Sequence, residues 1–456
     1  MWRICVVCII LLILHVIRKI CLKLCKRHKN VCVLVLGDLG RSPRMQYHVT
    51  SLVKEGFAVD FIGYPGSLPL KEIRENPLIR IYYLSPPLNI ENKLSLFVCY
   101  VVKTLWQTFN LIWTLLHIRI PTHMLIQNPP AIPTIPICWL YCFIINSQLI
   151  IDWHNYAFTL MGLSLRNDHL FVKFARIIET YFGFKAHSHI CVSEAMRNDL
   201  QLKWKIKAEV LYDRPTDKFH PISLEEKHMF LLKLSEKHNI LKGKKENTTI
   251  FTEFVDNEIR LSSKRPGLIV SSTSWTEDED FSILLNALQE YENMIVQCTC
   301  NLPDLICIIT GKGPLKEFYK AIVKLKNWKH VTILTPWLEN EDYPKILASA
   351  DLGICLHISS SGLDLPMKVV DMFGCELPVF SYNFKCLSEL VKHGQNGMTF
   401  SSDKELTAQL KMWFENFPNN NAQHMLERRF REKLHKFKQD RWHNNWTFIV
   451  LPYFKQ

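Results

Sequence analysis

Residues 31–36, VCVLVL, are an unbroken apolar run. A strand with one wet face alternates apolar and polar side chains, whereas a strand covered on both faces need not. The run therefore predicts a parallel strand sandwiched between helices. The turn Gly37-Asp38-Leu39-Gly40 follows, then a helical stretch, then a second apolar strand ending near Tyr64. The same strand–turn–helix grammar returns at 267–273 (GLIVSST), at 305–310 (LICIIT) and at 352–356 (LGICL). The expected class is α/β, and 456 residues suffice for two domains with full cores.

In such sheets ligands gather at the carboxyl ends of the strands. Three places there carry chemistry. The first is the glycine turn itself, where Asp38 is a candidate acid. Gly40, Arg41 and Arg44 stand beside it, and guanidinium groups grip phosphate in two-point contacts. The second is Asp152-Trp153-His154-Asn155-Tyr156, which ends the strand LII at 149–151. Either His154 or Asp152 can take a proton from a hydroxyl; equally, the five residues can form a satisfied structural cluster. The third is HISSSGLDLPMKVVDMFGCELPVF at 357–380. Pro366 suits the first position of a helix, and Asp364 then falls near the N-cap. Helical spacing puts Asp364, Lys368 and Asp371 on one face. A helix start with Ser359, Ser360, Ser361, Gly362 and a lysine is suited to a diphosphate, although an ordinary loop with a capping aspartate has the same pattern.

Gly311-Lys312-Gly313-Pro314 ends another strand. It lacks the spacing of a Walker A loop, yet Gly313 lets a backbone approach a ligand closely and Lys312 supplies charge. The run Glu277-Asp278-Glu279-Asp280 fits the positive end of a helix dipole and lacks the periodicity of metal ligands.

The net charge of +12 is misleading until it is placed. Seven of those charges, Arg3, Arg18, Lys19, Lys23, Lys26, Arg27 and Lys29, lie in the first thirty residues, which contain no acid. What is left over the other residues is too little for a nucleic-acid partner. Residues 4–17 are apolar apart from His15 and would span roughly 21 Å as a helix. No small-x-small cleavage site follows them, so a retained signal anchor is expected. Cations after the span place the bulk of the chain in the cytosol. Fifteen cysteines, several in apolar runs and without zinc-type spacing, fit buried thiols in a reducing compartment. Residues 94–120 read as a helix with the polar stripe Lys103, Gln107, Asn110, Thr114 and His117. A half-buried core helix and a membrane-facing surface both satisfy that pattern.

The motifs LGDLGRSPRMQYH, IDWHNY, SSTSWTEDEDFSILL, ITGKGPL and SSSGLDLPMKVVDMFG resemble those of nucleotide-sugar glycosyltransferases of the GT-B fold. Within that class they are similar to the dolichol-pathway β-mannosyltransferases. Many GT-B enzymes carry Pro-x-Lys-x-x-Glu; here Pro366, Lys368 and Asp371 occupy that pattern. The resemblance implies two facing Rossmann-like domains. Domain boundaries are then expected at 1–30 (anchor and basic run), 31–215 (acceptor domain), 216–266 (charged linker) and 267–456 (donor domain with a final helix crossing back). It implies GDP-mannose as donor and dolichyl-diphosphate-linked chitobiose as acceptor, with a β1,4 linkage made by inversion. It assigns His154, Asp152 or Asp38 to catalysis. Lys312, Gly313, Ser360, Ser361, Gly362, Asp364, Lys368 and Asp371 are assigned to the donor, and Gly40, Arg41 and Arg44 to the acceptor diphosphate. No tightly bound cofactor is expected, with a divalent-cation dependence left open. The expected setting is the endoplasmic reticulum membrane, with other transferases of the pathway as candidate partners. The sequence departs from the class at 274–280, where many relatives place Arg and Lys. Two other readings survive: a transferase for a different sugar nucleotide, and an anchored subunit without catalysis.

Overall fold

The computed structural model describes residues 29–88, 96–256, 258–276, 279–298 and 300–455. The expected anchor at 4–17 lies outside these residues, as do Glu277 and Asp278 of the acidic run. Among the described residues no helix is long and apolar enough to cross a membrane. The chain forms two compact units, Met1–Tyr212 with Trp442–Gln456, and Asp213–Arg441.

The first unit runs β1 (Asn30–Asp38), α1 (Pro43–Lys54), β2 (Ala58–Tyr64), β3 (Ile79–Tyr83), α2 (Leu96–His117), β4 (His123–Asn128), α3 (Thr134–Ile145), β5 (Gln148–Trp153), α4 (Ala157–Leu165), α5 (Leu170–Phe184), β6 (Ser188–Cys191), α6 (Glu194–Trp204) and β7 (Glu209–Val210). Its strands are ordered β3-β2-β1-β4-β5-β6-β7 and all pair in parallel. Val31 to Leu34 have no exposed surface, as the unbroken run demands. The order reverses between β1 and β4, the switch point at which such sheets open a crevice. Ser193 caps α6 by accepting from Met196 N at 3.0 Å. The helix Trp442–Ile449, last but one in the chain, packs on α1, where Trp442 Nε1 donates to Ser51 Oγ at 3.2 Å.

The second unit runs α7 (Leu224–Lys237), the hairpin β8 (Thr252–Val255) and β9 (Glu258–Leu261), then β10 (Gly267–Ser272), α8 (Phe281–Val296), β11 (Leu305–Thr310), α9 (Lys316–Lys324), β12 (Val331–Leu334), α10 (Tyr343–Ser349), β13 (Leu352–Cys355), α11 (Met367–Gly374), β14 (Val379–Tyr382), β15 (Gly397–Phe400), α12 (Asp403–Phe414) and α13 (Asn421–Gln439). The sheet order β12-β11-β10-β13-β14-β15 repeats the plan of the first unit. The lysine-rich stretch 216–266 is not a loose linker. Phe219, Phe230, Leu231, Leu234, Leu241 and Phe251 from it are buried in this unit's core. In α7 the exposed Lys233 and Lys237 stand among Phe230, Leu231 and Leu234, which share one buried helix face.

The glycines at the ends of β11 serve packing. A Cβ on Gly311 would stand 1.8 Å from the Thr273 carbonyl oxygen, and one on Gly313 would stand 1.7 Å from that of Ser274. Gly311 also has φ +138°, which side chains rarely adopt. Gly311→Ala is expected to destabilise the protein by about 2–3 kcal/mol, read as a lower urea midpoint with an unchanged slope.

Candidate active site

In the first unit the carboxyl end of β5 is organised by a buried carboxylate. Asp152 has no exposed surface. Its Oδ1 accepts from Arg44 Nη2 at 3.0 Å, and its Oδ2 accepts from Arg44 Nε at 2.8 Å. The same Oδ2 lies 3.1 Å from His48 Nε2 and 2.8 Å from His154 Nε2. Burial alone would raise its pKa, but the Arg44 guanidinium and His154 more than offset this and hold it well below the usual carboxylate range. Such an acid is a poor base. Its role is to orient: a carboxylate only accepts, so His154 carries its proton on Nε2 and keeps the lone pair on Nδ1. The His154 side chain retains 22% of its exposure, enough to meet a substrate.

His48 is held from both sides. Trp446 Nε1 is a pure donor and lies 2.8 Å from His48 Nδ1, so the ring donates through Nε2 to Asp152. Burial lowers the His48 pKa and keeps it neutral in that arrangement. Sequence reading missed this residue; its signal was only the spacing of four from Arg44.

Two expectations for this unit fail. Arg44 does not face an acceptor diphosphate: it is 2% exposed, donates through Nη1 to Leu211 O at 2.8 Å and lies under the Trp442 ring. Asp38 is not poised as an acid. Its Oδ1 caps Gly40 N at 2.9 Å, and its Oδ2 accepts from Ser67 N at 2.9 Å. Gly40 is demanded by packing, since a Cβ there would lie 2.3 Å from Ser67 O. Arg41 alone of this group stays largely exposed, at 63%. Behind β5, Glu179 is fully buried and accepts from Asn128 Nδ2 at 2.6 Å and Ala157 N at 2.9 Å, capping α4. Burial pushes its pKa up to about 7.

In the second unit another buried acid positions a cation. Glu279, 2% exposed, accepts from Lys368 Nζ through Oε1. Its Oε2 accepts from Thr273 Oγ1 and from Ser274 N, the latter at 3.0 Å. Lys368 is thereby fixed in the first turn of α11. In sequence Glu279 looked like one more acid at a helix start. Of the two described acids of the run, Asp280 plays that part, accepting from Ser282 N at 2.9 Å.

Asp364 does not cap α11, whose N-cap Pro366 has no side-chain hydrogen bond. Asp364 instead accepts from Ser359 Oγ and lies 3.2 Å from His357 Nε2, bracing the loop. Ser359 and Ser361 turn inward as well, both accepting from Leu363 N. Gly362, between Ser361 and Leu363, has φ +73°, and Ser360 shares the same loop. Lys312 lies over the Trp337 ring with Nζ 3.7 Å from its centroid. Asp371, one turn along α11 from Lys368, is only half-buried. Its surroundings still push its pKa up to about 7, mainly by desolvation, with Lys218 opposing and Asp213 adding. Lys312, Lys368 and Asp371 thus all lie at the carboxyl side of one sheet, while Gly313 is spent on packing.

Two parallel sheets of repeated order, each with polar and charged groups gathered at its carboxyl edge, are the plan of the GT-B glycosyltransferases. A glycosyltransferase structure from Rickettsia africae superposes with a TM-score of 0.61 at 15% identity, covering 94% of this chain and 98% of that one. Residues 252–433 match the family described as glycosyl transferases group 1. Over 432 residues the chain is 45% identical to the Homo sapiens chitobiosyldiphosphodolichol beta-mannosyltransferase, covering 93% of this chain and 92% of that protein. The Arabidopsis thaliana UDP-glycosyltransferase TURAN is 43% identical over 419 residues, 86% of this chain and 90% of that protein. The chain belongs to the chitobiosyldiphosphodolichol beta-mannosyltransferase family.

Arg44→Leu should destabilise the protein by about 3–5 kcal/mol, because it strands a buried carboxylate. Adding Asp152→Asn, which removes the charge and keeps an acceptor for His48, should recover part of that loss in the same urea titration. The Asp371 shift predicts a pH effect of definite sign. Its folded pKa, about 7, exceeds the unfolded value, so the folded state binds more protons between roughly pH 4 and 7. Its contribution to stability should therefore grow as pH falls through that window, and Asp371→Asn should flatten this part of the stability–pH curve.

Proposed function

We propose that this protein moves mannose from GDP-mannose to chitobiosyl-diphosphodolichol, forming a β1,4 linkage with inversion. The acceptor hydroxyl oxygen attacks the anomeric carbon, the bond from that carbon to the phosphate oxygen breaks, and GDP departs with the electron pair. His154 Nδ1 takes the hydroxyl proton. Asp152 acts through His154 as a positioning residue, fixing its tautomer and meeting the imidazolium charge as it forms. The Lys368 ammonium and the unpaired N–H groups opening α11 meet the charge on the leaving diphosphate. Asp371 accepts from ribose or mannose hydroxyls, and Lys312 with Arg41 supplies outlying positive charge.

The observation that carries the reading is Lys368, held by buried Glu279 at the amino end of α11. Near full-length likeness to a protein named for this reaction supports the choice of substrates. Residues 4–17 act as a single-pass anchor in the endoplasmic reticulum membrane, with both units on the cytosolic side. A relative named as a UDP-glycosyltransferase makes the donor base the point to test.

Detergent-solubilised protein, incubated with radiolabelled GDP-mannose and a chitobiosyl-diphospholipid, should yield labelled lipid; UDP-glucose in place of GDP-mannose should not. Lys368→Ala should lower turnover by about 10²-fold or more while leaving membrane attachment intact. His154→Ala should lower kcat by about 10²–10⁴-fold. Normal turnover in either variant would remove that residue from the reaction.

A further inference from the structure

The loop that carries His154 is tied down a second time, without Asp152. His154 N and Asn155 N both donate to the Asn128 carbonyl at the end of β4, at 2.8 Å and 3.4 Å. The Asn128 side chain holds the same loop from within. Its Nδ2 donates to Asn155 O at 3.0 Å and to Glu179 Oε1 at 2.6 Å. Glu179, from α5, also reaches the first turn of α4. Its Oε1 accepts from Ala157 N at 2.9 Å, and its Oε2 accepts from Phe158 N at 3.3 Å. Residues 154–158 are thus held by one asparagine and one carboxylate, both without exposed surface.

Only the ionised acid suits these neighbours. The three groups that point at Glu179 are Asn128 Nδ2, Ala157 N and Phe158 N, and all three donate. A protonated Glu179 would add a fourth hydrogen, and a buried donor without an acceptor is costly. The nearest candidate is Asn128 Oδ1, which has no partner among the described residues. To offer that oxygen the amide must turn over, which would set Oδ1 against Asn155 O and break the tie to the loop. No cation compensates for the burial. Among the described residues Glu179 forms no ion pair. Arg176, one turn back on α5, lies over the Phe158 ring instead, at 5.6 Å. Tyr156 from the loop donates its hydroxyl to Asp199 of α6 at 2.9 Å, and Asp199 is paired with Lys203. Burial thus dominates, and the pKa of about 7 brings the proton on and off near neutrality.

We propose that Glu179, acting through Asn128 and the amino end of α4, is a positioning residue for His154 and works only as the carboxylate. This rests on the reading of His154 as the base and deepens it, because it gives turnover a pH dependence that does not come from His154 itself.

Glu179→Gln, made in the full detergent-solubilised chain, is the test. Glutamine has the size of the protonated acid and, like it, places hydrogen where the carboxylate only accepts. The variant should lower kcat at least about tenfold near pH ~8, with KM for both substrates unchanged. Wild-type turnover should fall towards that of the variant as pH drops through about 7, so the ratio of the two kcat values should approach one near pH ~5.5. His154 titrates in both proteins and cancels from the ratio. An acid that only caps α4 would cost the same factor at every pH; a constant ratio, or an unchanged kcat at high pH, would overturn the proposal.

Hydrogen exchange gives a readout without turnover, and it needs only the wild-type chain. With intrinsic rates at each pH divided out, the peptide covering 154–160 should lose protection as pH falls through about 7, while peptides of α8 keep theirs. Constant protection of 154–160 would overturn the proposal. Normal turnover in His154→Ala, with exchange still following pH, would sink the base and leave the tie between Glu179 and the loop standing. Constant protection, with transfer lost in His154→Ala, would do the reverse.

Discussion

A carboxylate with no access to water has to be met on every side, and Asp152 shows how much structure that requirement recruits. Arg44 comes to it from α1, His48 from one turn further along, and His154 from the loop after β5. Arg44 is itself held by the Leu211 carbonyl after β7, and His48 by Trp446 from the far end of the chain. An unpaired buried charge would cost several kcal/mol, so each of these partners is constrained by the rest. Three separated segments, α1, the chain after β7 and the helix Trp442–Ile449, are tied to one carboxyl group at the end of β5. The histidine left with an outward lone pair is aligned by the same bonds that hold the unit together.

The second unit repeats the device with a cation in place of the base. Glu279 is withdrawn from water and satisfied by Thr273, Ser274 and Lys368, so the ammonium has a defined place at the amino end of α11. In both units the acid is the buried member and the basic group is the one that keeps some exposure. A base or a cation can be presented at the edge of a sheet without a long flexible reach, because the charge fixing it lies behind it. The glycines at 311 and 313 belong to the same construction. They let the β11 loop press against the Thr273–Ser274 backbone from which Glu279 is hydrogen-bonded.

Residues that looked alike in sequence are separated by burial. Arg41 and Arg44 are three apart beside one glycine turn, yet Arg41 is 63% exposed and Arg44 is 2% exposed. Asp364 had the spacing of a helix cap, but Ser359 and His357 reach it first and leave Pro366 at the cap position. Glu279 and Asp280 are neighbours in an acidic run, and one turns inward while the other caps α8. The polar stripe of α2 was visible as a stripe, but which side of the helix met water was not.

What the sequence determined by itself was the plan: an unbroken apolar strand forces helices onto both faces, the repeat of that unit forces two sheets, and the motifs placed the chemistry at their carboxyl ends. These are local properties, set by side-chain periodicity within about ten residues. Tertiary structure decided which polar groups face a substrate and which are consumed inside. Arg44 reaches Asp152 across 108 residues, and Trp446 supports its other partner His48 across 398. Hydrogen bonds of that span leave no periodic trace along the chain, because burial is a property of the packed molecule and not of any one segment.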